Sequence, residues 1–217
     1  MNPRNNASGG PILSVRNYPI AADTKILVGQ VVKLENGKVV AAAVNESGAI
    51  LGIANETHEG TADALNVRAN GKEILVADGP EQLMECAAPL VTATGGSATT
   101  VVATGLGSFS ASDLQGGMMK LDKLAEASTN TDGVGTVKEI ENFADGTFTV
   151  PSGSAAASGD QFRVFPPIGF AKGNLTADGL GLSLAAADSI SLKVVGWDLE
   201  RGKILLLASK HALGNAE

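Results

Sequence analysis

Aromatic residues are scarce in this 217-residue chain: Phe, Trp and Tyr together make up 4% of it, with one Trp and one Tyr. The hydrophobic content is 44%, so the core must be built from Val, Ile, Leu and Ala. The same scarcity counts against a carbohydrate-binding groove, which needs clustered rings. Cysteine is scarcer still. Cys86 stands alone, which excludes an intramolecular disulfide and leaves a small apolar core residue as the favoured reading over a reactive thiol. The two histidines, His58 and His211, have no second His or Cys at metal-ligand spacing. His58 reads as part of a solvated polar loop and His211 as part of a solvated tail. Positive charge is thin as well. Sixteen basic residues face 23 acidic ones, for a net charge of −7, and Lys and Arg are scattered singly. Without a basic stripe to neutralise phosphates, direct nucleic-acid binding is not expected. No apolar run reaches the length that spans a bilayer. No basic segment followed by an apolar one opens the chain, so synthesis in a cytoplasm and no membrane contact are expected.

Catalytic motifs are missing too. There is no Gly-x-Ser-x-Gly elbow. Gly95-Gly96-Ser97 and Gly105-Leu106-Gly107 lack the Lys-Ser/Thr of a phosphate loop, and Gly133-Val134-Gly135 lacks a third glycine at nucleotide-binding spacing. The Asp-Gly pairs do not belong to a calcium loop. The expectation is therefore no catalytic residue, no cofactor, no metal and no enzymatic activity.

Glycine, by contrast, is abundant at 27 residues, and turn dipeptides are frequent, which points to an all-β protein. A repeat organises the sequence. Leu27-Val28-Gly29-Gln30-Val31-Val32-Lys33-Leu34 returns as Leu114-Gln115-Gly116-Gly117-Met118-Met119-Lys120-Leu121. Leu51-Gly52-Ile53-Ala54 is echoed by Ile168-Gly169-Phe170-Ala171. Gly71-Lys72-Glu73-Ile74 is echoed by Gly202-Lys203-Ile204. Three echoes in one order predict two related small β-barrel or sandwich modules from an internal duplication. The repeat glycines Gly29, Gly52, Gly71, Gly116, Gly169 and Gly202 are predicted structural positions. Lys33 and Lys120 read as solvated strand ends.

In order, residues 1–19 form a polar, Asn- and Pro-rich arm, residues 20–88 module one, and residues 89–217 module two with an insertion at 122–165. Module one should hold strands at 30–34, 39–44, 49–55 and 73–77. Asn36-Gly37 makes the clearest hairpin turn, and Leu65, Val67 and Ala69 show strand alternation. Gly52 marks a bulge or a close contact inside its strand. Residues 80–88 read as a helical turn or two, capped by Asp78. A strand is expected at 99–103 with loops around it. Further strands are expected at 136–140, 147–150, 161–165 and 168–171, with a short helix at 182–187. A final hairpin spans 192–197 and 203–208. Trp197 serves either the core or an interface. The insertion is where one copy could acquire a new surface, either an interface or an outward-facing knob.

The first module resembles small tailed-phage proteins that are encoded beside major capsid proteins in head gene clusters, once named recombinase-like and several now regarded as capsid decoration, or cement, proteins. The resemblance is carried by Gly29-Gln30-Val31-Val32-Lys33-Leu34, by Asn36-Gly37 with residues 39–43, by Leu51-Gly52-Ile53-Ala54, and by Val67 and the Gly71 turn. It implies a compact β fold on the outer capsid surface of a virion, with the major capsid protein as partner and a homo-oligomer, commonly a homotrimer, at three-fold positions. The implied function is capsid stabilisation by bridging neighbouring capsid subunits. A head fibre, tail or baseplate β-structural protein is the alternative, and a carbohydrate-binding module ranks below both. The residues expected to touch the capsid or a neighbouring subunit are Asn2, Pro3, Arg4, Asn5, Asn6, Pro11, Ile12 and Leu13.

Overall fold

The computed structural model describes residues 2–6, 14–21, 24–59 and 73–213. Among them strand takes 47% and helix 2%, so the protein is all-β. The sheets are open, which favours the sandwich over the barrel.

The chain begins with β1 (Asn2–Asn6), β2 (Val15–Pro19) and β3 (Lys25–Ile26). The hairpin of β4 (Val31–Glu35) and β5 (Lys38–Ala41) follows. Its turn residues Asn36 and Gly37 have φ of 51° and 74°, the positive values a two-residue hairpin requires. Then come β6 (Ile50–Ala54), β7 (His58–Glu59) and β8 (Glu73–Ala77). Leu65, Val67, Ala69 and Gly71 lie outside the described residues.

Next are β9 (Gln82–Ala87), β10 (Leu90–Ser97) and β11 (Thr100–Ala103). A single helical turn, α1 (Ala111–Leu114), is closed by a Ser110–Asp113 capping box. Further on are β12 (Met118–Lys123), β13 (Val137–Glu139), β14 (Asn142–Ala144), β15 (Thr147–Thr149) and β16 (Gln161–Phe165). Two short strands, β17 (Asn174–Leu175) and β18 (Leu182–Ser183), precede the closing hairpin of β19 (Leu192–Asp198) and β20 (Lys203–Ala208).

Four expectations are corrected. Residues 82–87 are a strand, because β9 pairs with β1 on one side and β20 on the other, and Asp78 caps no helix. Residues 90–97, read as loop, are β10, with Val91 and Ala93 buried in alternation. Residues 168–171 are not a strand: Pro167 to Phe170 make a turn, in which Phe170 N bonds back to Pro167 O at 3.0 Å. Residues 182–187 are not helical; Leu182 and Ser183 pair with β17.

Three sheets carry the fold. One runs β2-β8-β6-β4-β5, one β13-β12-β16-β10-β11-β15-β14, and one β1-β9-β20-β19. The third joins residues from both ends of the chain. Its β9 lies before the module boundary drawn from sequence, and its β20 lies after it.

The first sheet separates two cores. Ile20, Ile26, Val32, Val39, Leu51, Ala54, Ile74 and Val76 form the smaller one. Val31, Ile50 and Ile53 face the larger core instead, beside residues of the other two sheets. A register shift opposite Val32 and Lys33 makes this division. It leaves Ile50 and Ile53 on one face and Leu51 and Ala54 on the other, a three-residue spacing that only a bulge allows. Gly52 sits inside this bulge. A Cβ there would lie 2.0 Å from the Ala77 carbonyl oxygen, so no side chain fits.

Candidate functional site

The expected contact residues Asn2, Pro3, Arg4, Asn5 and Asn6 form β1, an edge strand. Its partners on β9 are Glu85, Met84 and Gln82, with a register shift between Pro3 and Asn6. Pro11, Ile12 and Leu13 lie outside the described residues. β9 is held independently along its other edge by β20 and by the ion pair of Glu85 with Arg201 at 3.3 Å.

The repeat glycines divide differently from their sequence echoes. Gly29, Gly116 and Gly169 have φ of 85°, 78° and 90° and occupy the third position of three equivalent turns. The fourth residue of each turn donates back to the first: Gln30 to Leu27, Gly117 to Leu114 and Phe170 to Pro167. Gln115, before Gly116, has φ −59° and ψ 136°, which with Gly116 defines a type II turn. Each turn is then hooked by a distant residue. Gly29, Gly116 and Gly169 donate to the carbonyls of Ala54, Ile140 and Val194. Those residues donate in turn to Gln30, Gly117 and Phe170, every bond being 2.8 or 2.9 Å. Gly169 is thus the counterpart of Gly29 and Gly116, while Gly52 lies within a strand. The echo between Gly52 and Gly169 is corrected: glycine is required at both, for a close contact at one and for a positive φ at the other. Gly202 sits in the β19–β20 turn with φ 66°, against the Arg163 side chain.

Lys33 and Lys120 are not solvated strand ends. Lys33 Nζ pairs with Glu46 at 2.9 Å, and Lys120 Nζ donates to the carbonyls of Leu199 and Glu200 at 2.8 and 2.9 Å. In both copies the lysine reaches from its strand to tie down a loop. Burial disfavours ionised Glu46, but Lys33 and the amides of Ala43 and Gly48 hold its pKa below the ordinary value.

Both histidine readings are also corrected. His58 is fully buried in β7, its Nδ1 3.0 Å from the Thr24 carbonyl, and His211 is buried too. Cys86 is buried as expected of a core residue, and burial pushes its thiol up to about 11, so it is protonated at neutral pH. Trp197 is half-buried against the larger core and donates its indole N–H to Pro166 O at 2.7 Å.

Sequence reasoning missed the buried carboxylates. Asp160, in the Ser158-Gly159-Asp160 turn, is fully buried. It accepts from Ala125 N at 2.9 Å, Ala157 N at 3.0 Å and Asn130 Nδ2 at 3.3 Å. Burial opposes its charge, yet these donors hold its pKa below the ordinary value. Its stabilisation is therefore complete above the unfolded pKa of about 4 and is lost as pH falls through the lower folded value. Asp160→Ala strands three donors and is expected to cost about 3 kcal/mol in denaturant unfolding at neutral pH. A cost under about 0.5 kcal/mol would contradict the role given to Asp160. Asp78, also fully buried, accepts from the Tyr18 hydroxyl and pairs with Arg16 at 3.3 Å. Burial first, then the hydrogen bond to Asp78 and its charge, pushes Tyr18 up to about 12.

An open cleft of about 450 Å³ lies between two of the hooked turns, lined by Asp113, Gln115, Ile168, Phe170 and Lys172. The Asp113–Lys172 pair closes at 2.8 Å beside it, and Ile168 is 59% exposed at the turn tip. Among the described residues no group of three or more His, Cys, Asp and Glu is placed to hold a metal ion. No helix among them is long and apolar enough to cross a membrane. No family model, no curated protein and no solved structure matches this chain.

Proposed function

We propose that this protein is a structural component of a phage virion that binds the outer surface of the capsid and stabilises it by bridging neighbouring capsid subunits. The observation that carries the reading is where the resembling residues fall. Gly29 makes a hooked turn, Asn36-Gly37 makes the β4–β5 hairpin, and Gly52 allows β6 to run between the two cores. The described residues that carry the resemblance to capsid decoration proteins are thus positions that build the first sheet, while Val67 and Gly71 lie outside the described residues. The major capsid protein is the partner, and the protein acts as a homo-oligomer, a trimer at three-fold positions. The N-terminal arm supplies the contact, since an extended segment binds a neighbour through main-chain hydrogen bonds without special side chains.

Removal of residues 1–11 is expected to leave a folded chain, because β9 keeps β20 as its partner. The shortened chain should lose capsid binding in a sedimentation assay. Full retention of binding would move the contact from the arm to the sheets. Particles assembled without the protein should release their DNA at a lower temperature than complete particles. Identical release curves would remove the stabilising role.

A further inference from the structure

The described segment after β20 turns back onto β6. Ile50 N donates to Lys210 O at 2.9 Å, Ala212 N donates to Ile50 O at 2.8 Å, and Lys210 Nζ reaches Ser47 O at 3.1 Å. His211 lies between these bonds in a parallel bridge with Ile50, and it is only 6% exposed. Ala212 packs against the smaller core. A segment continuous with the closing hairpin thus straps the strand that separates the two cores.

The His211 ring fits this place in one protonation state. Its Nδ1 faces the Leu213 N–H at 3.1 Å and must act as acceptor there. The neutral ring therefore carries its proton on Nε2. A second proton would sit on Nδ1, pointing at another donor. Burial works in the same direction and lowers the pKa, against a main-chain hydrogen bond to Leu51 and the charge of Asp78, which favour the charged ring. Asp78, from the β8–β9 connection, brings with it Tyr18 and Arg16 of β2. Lys210, on the strap itself, directs its ammonium to Ser47.

We propose that residues 209–213 form an acid-released strap, held on β6 while His211 is neutral and let go when it is protonated. The sign follows from the ring's lowered value. The strap's contribution is complete above the unfolded histidine pKa of about 6.5 and is lost as pH falls through the folded value. This inference does not depend on the proposed capsid role.

Amide hydrogen exchange on the full chain, corrected for intrinsic rates, tests it. Between about pH 7 and about pH 5, opening at Ile50 and Ala212 should rise several-fold, up to about twenty-five-fold if the strapped form excludes the proton entirely. Met119 in β12, remote in sequence from the strap, serves as the reference and should not change. The His211 ring resonances should titrate over the same pH range. In His211→Gln the difference between the two pH values at Ile50 and Ala212 should vanish. Equal protection of the wild-type chain at both pH values would overturn the strap, as would a His211→Gln chain that keeps the full pH dependence.

Discussion

Gly52→Ala is expected to destabilise the protein by about 3 kcal/mol or more, a fall in Tm of roughly 6–12 °C for a chain of this size. The added methyl carbon would meet the Ala77 carbonyl oxygen at 2.0 Å and the Ala77 carbonyl carbon at 2.9 Å. Both are backbone atoms of the partner strand, so no rotamer relieves the clash and the β6–β8 pairing must open. β6 is buried along its whole length, and its residues contribute to both cores. Displacing it disturbs the packing on both faces of the first sheet. Gly37→Ala is the matched control. It has no atom within 4 Å of the added carbon and strains only a φ of 74°, at a cost of about 1–2 kcal/mol. Thermal unfolding of the two variants separates the effects. Equal losses would show that close approach at Gly52 is not what requires glycine.

The second large effect lies in the 122–165 insertion. Phe148→Ala is expected to cost about 3–5 kcal/mol, with Tm lower by roughly 6–20 °C. Phe148 is fully buried, and its ring centre is 4.8 Å from that of Phe143, which touches Phe109, which touches Phe170. Ile140, Val150, Phe162 and Val164 of the same segment are buried in the same core. Whatever surface the insertion adds, its interior is the core of the seven-stranded sheet. Since Val31, Ile50 and Ile53 of the first sheet share that core, calorimetry of the variant should show one transition, shifted as a whole. Two transitions with only one moved would mean that the modules melt independently.

Much of the architecture was legible in the sequence, for reasons that can be named. The closing hairpin shows strand alternation, and Asn36-Gly37 shows turn chemistry. Both are local properties, and both strands and turn are where they were expected. β9 was illegible because Asp78, Pro80 and the run Glu81-Gln82-Leu83-Met84-Glu85 resemble a helix start. Pairing with β1 and β20, one near the N-terminus and one near the C-terminus, overrides that local preference. The Thr/Gly/Ala tract of β10 hid its strand because its buried residues are small.

The candidate site was less legible than the fold. A carboxylate buries only when its donors are in place, and of the three that Asp160 accepts from, only Ala157 is local; Ala125 and Asn130 lie thirty or more residues away. His58 and His211 were misread on the same ground, since each is buried by strands distant in sequence, β3 for one and β6 for the other. Similarly, the third hooked turn at Gly169 shares almost no side chains with the other two. Its likeness lies in main-chain bonds, which residue identity does not display.

Cryo-electron microscopy of particles with and without this protein tests the capsid role most directly. The difference map is predicted to show density on the outer capsid surface at three-fold positions, contacting more than one capsid subunit. Difference density confined to the tail, the baseplate or a head fibre would contradict it.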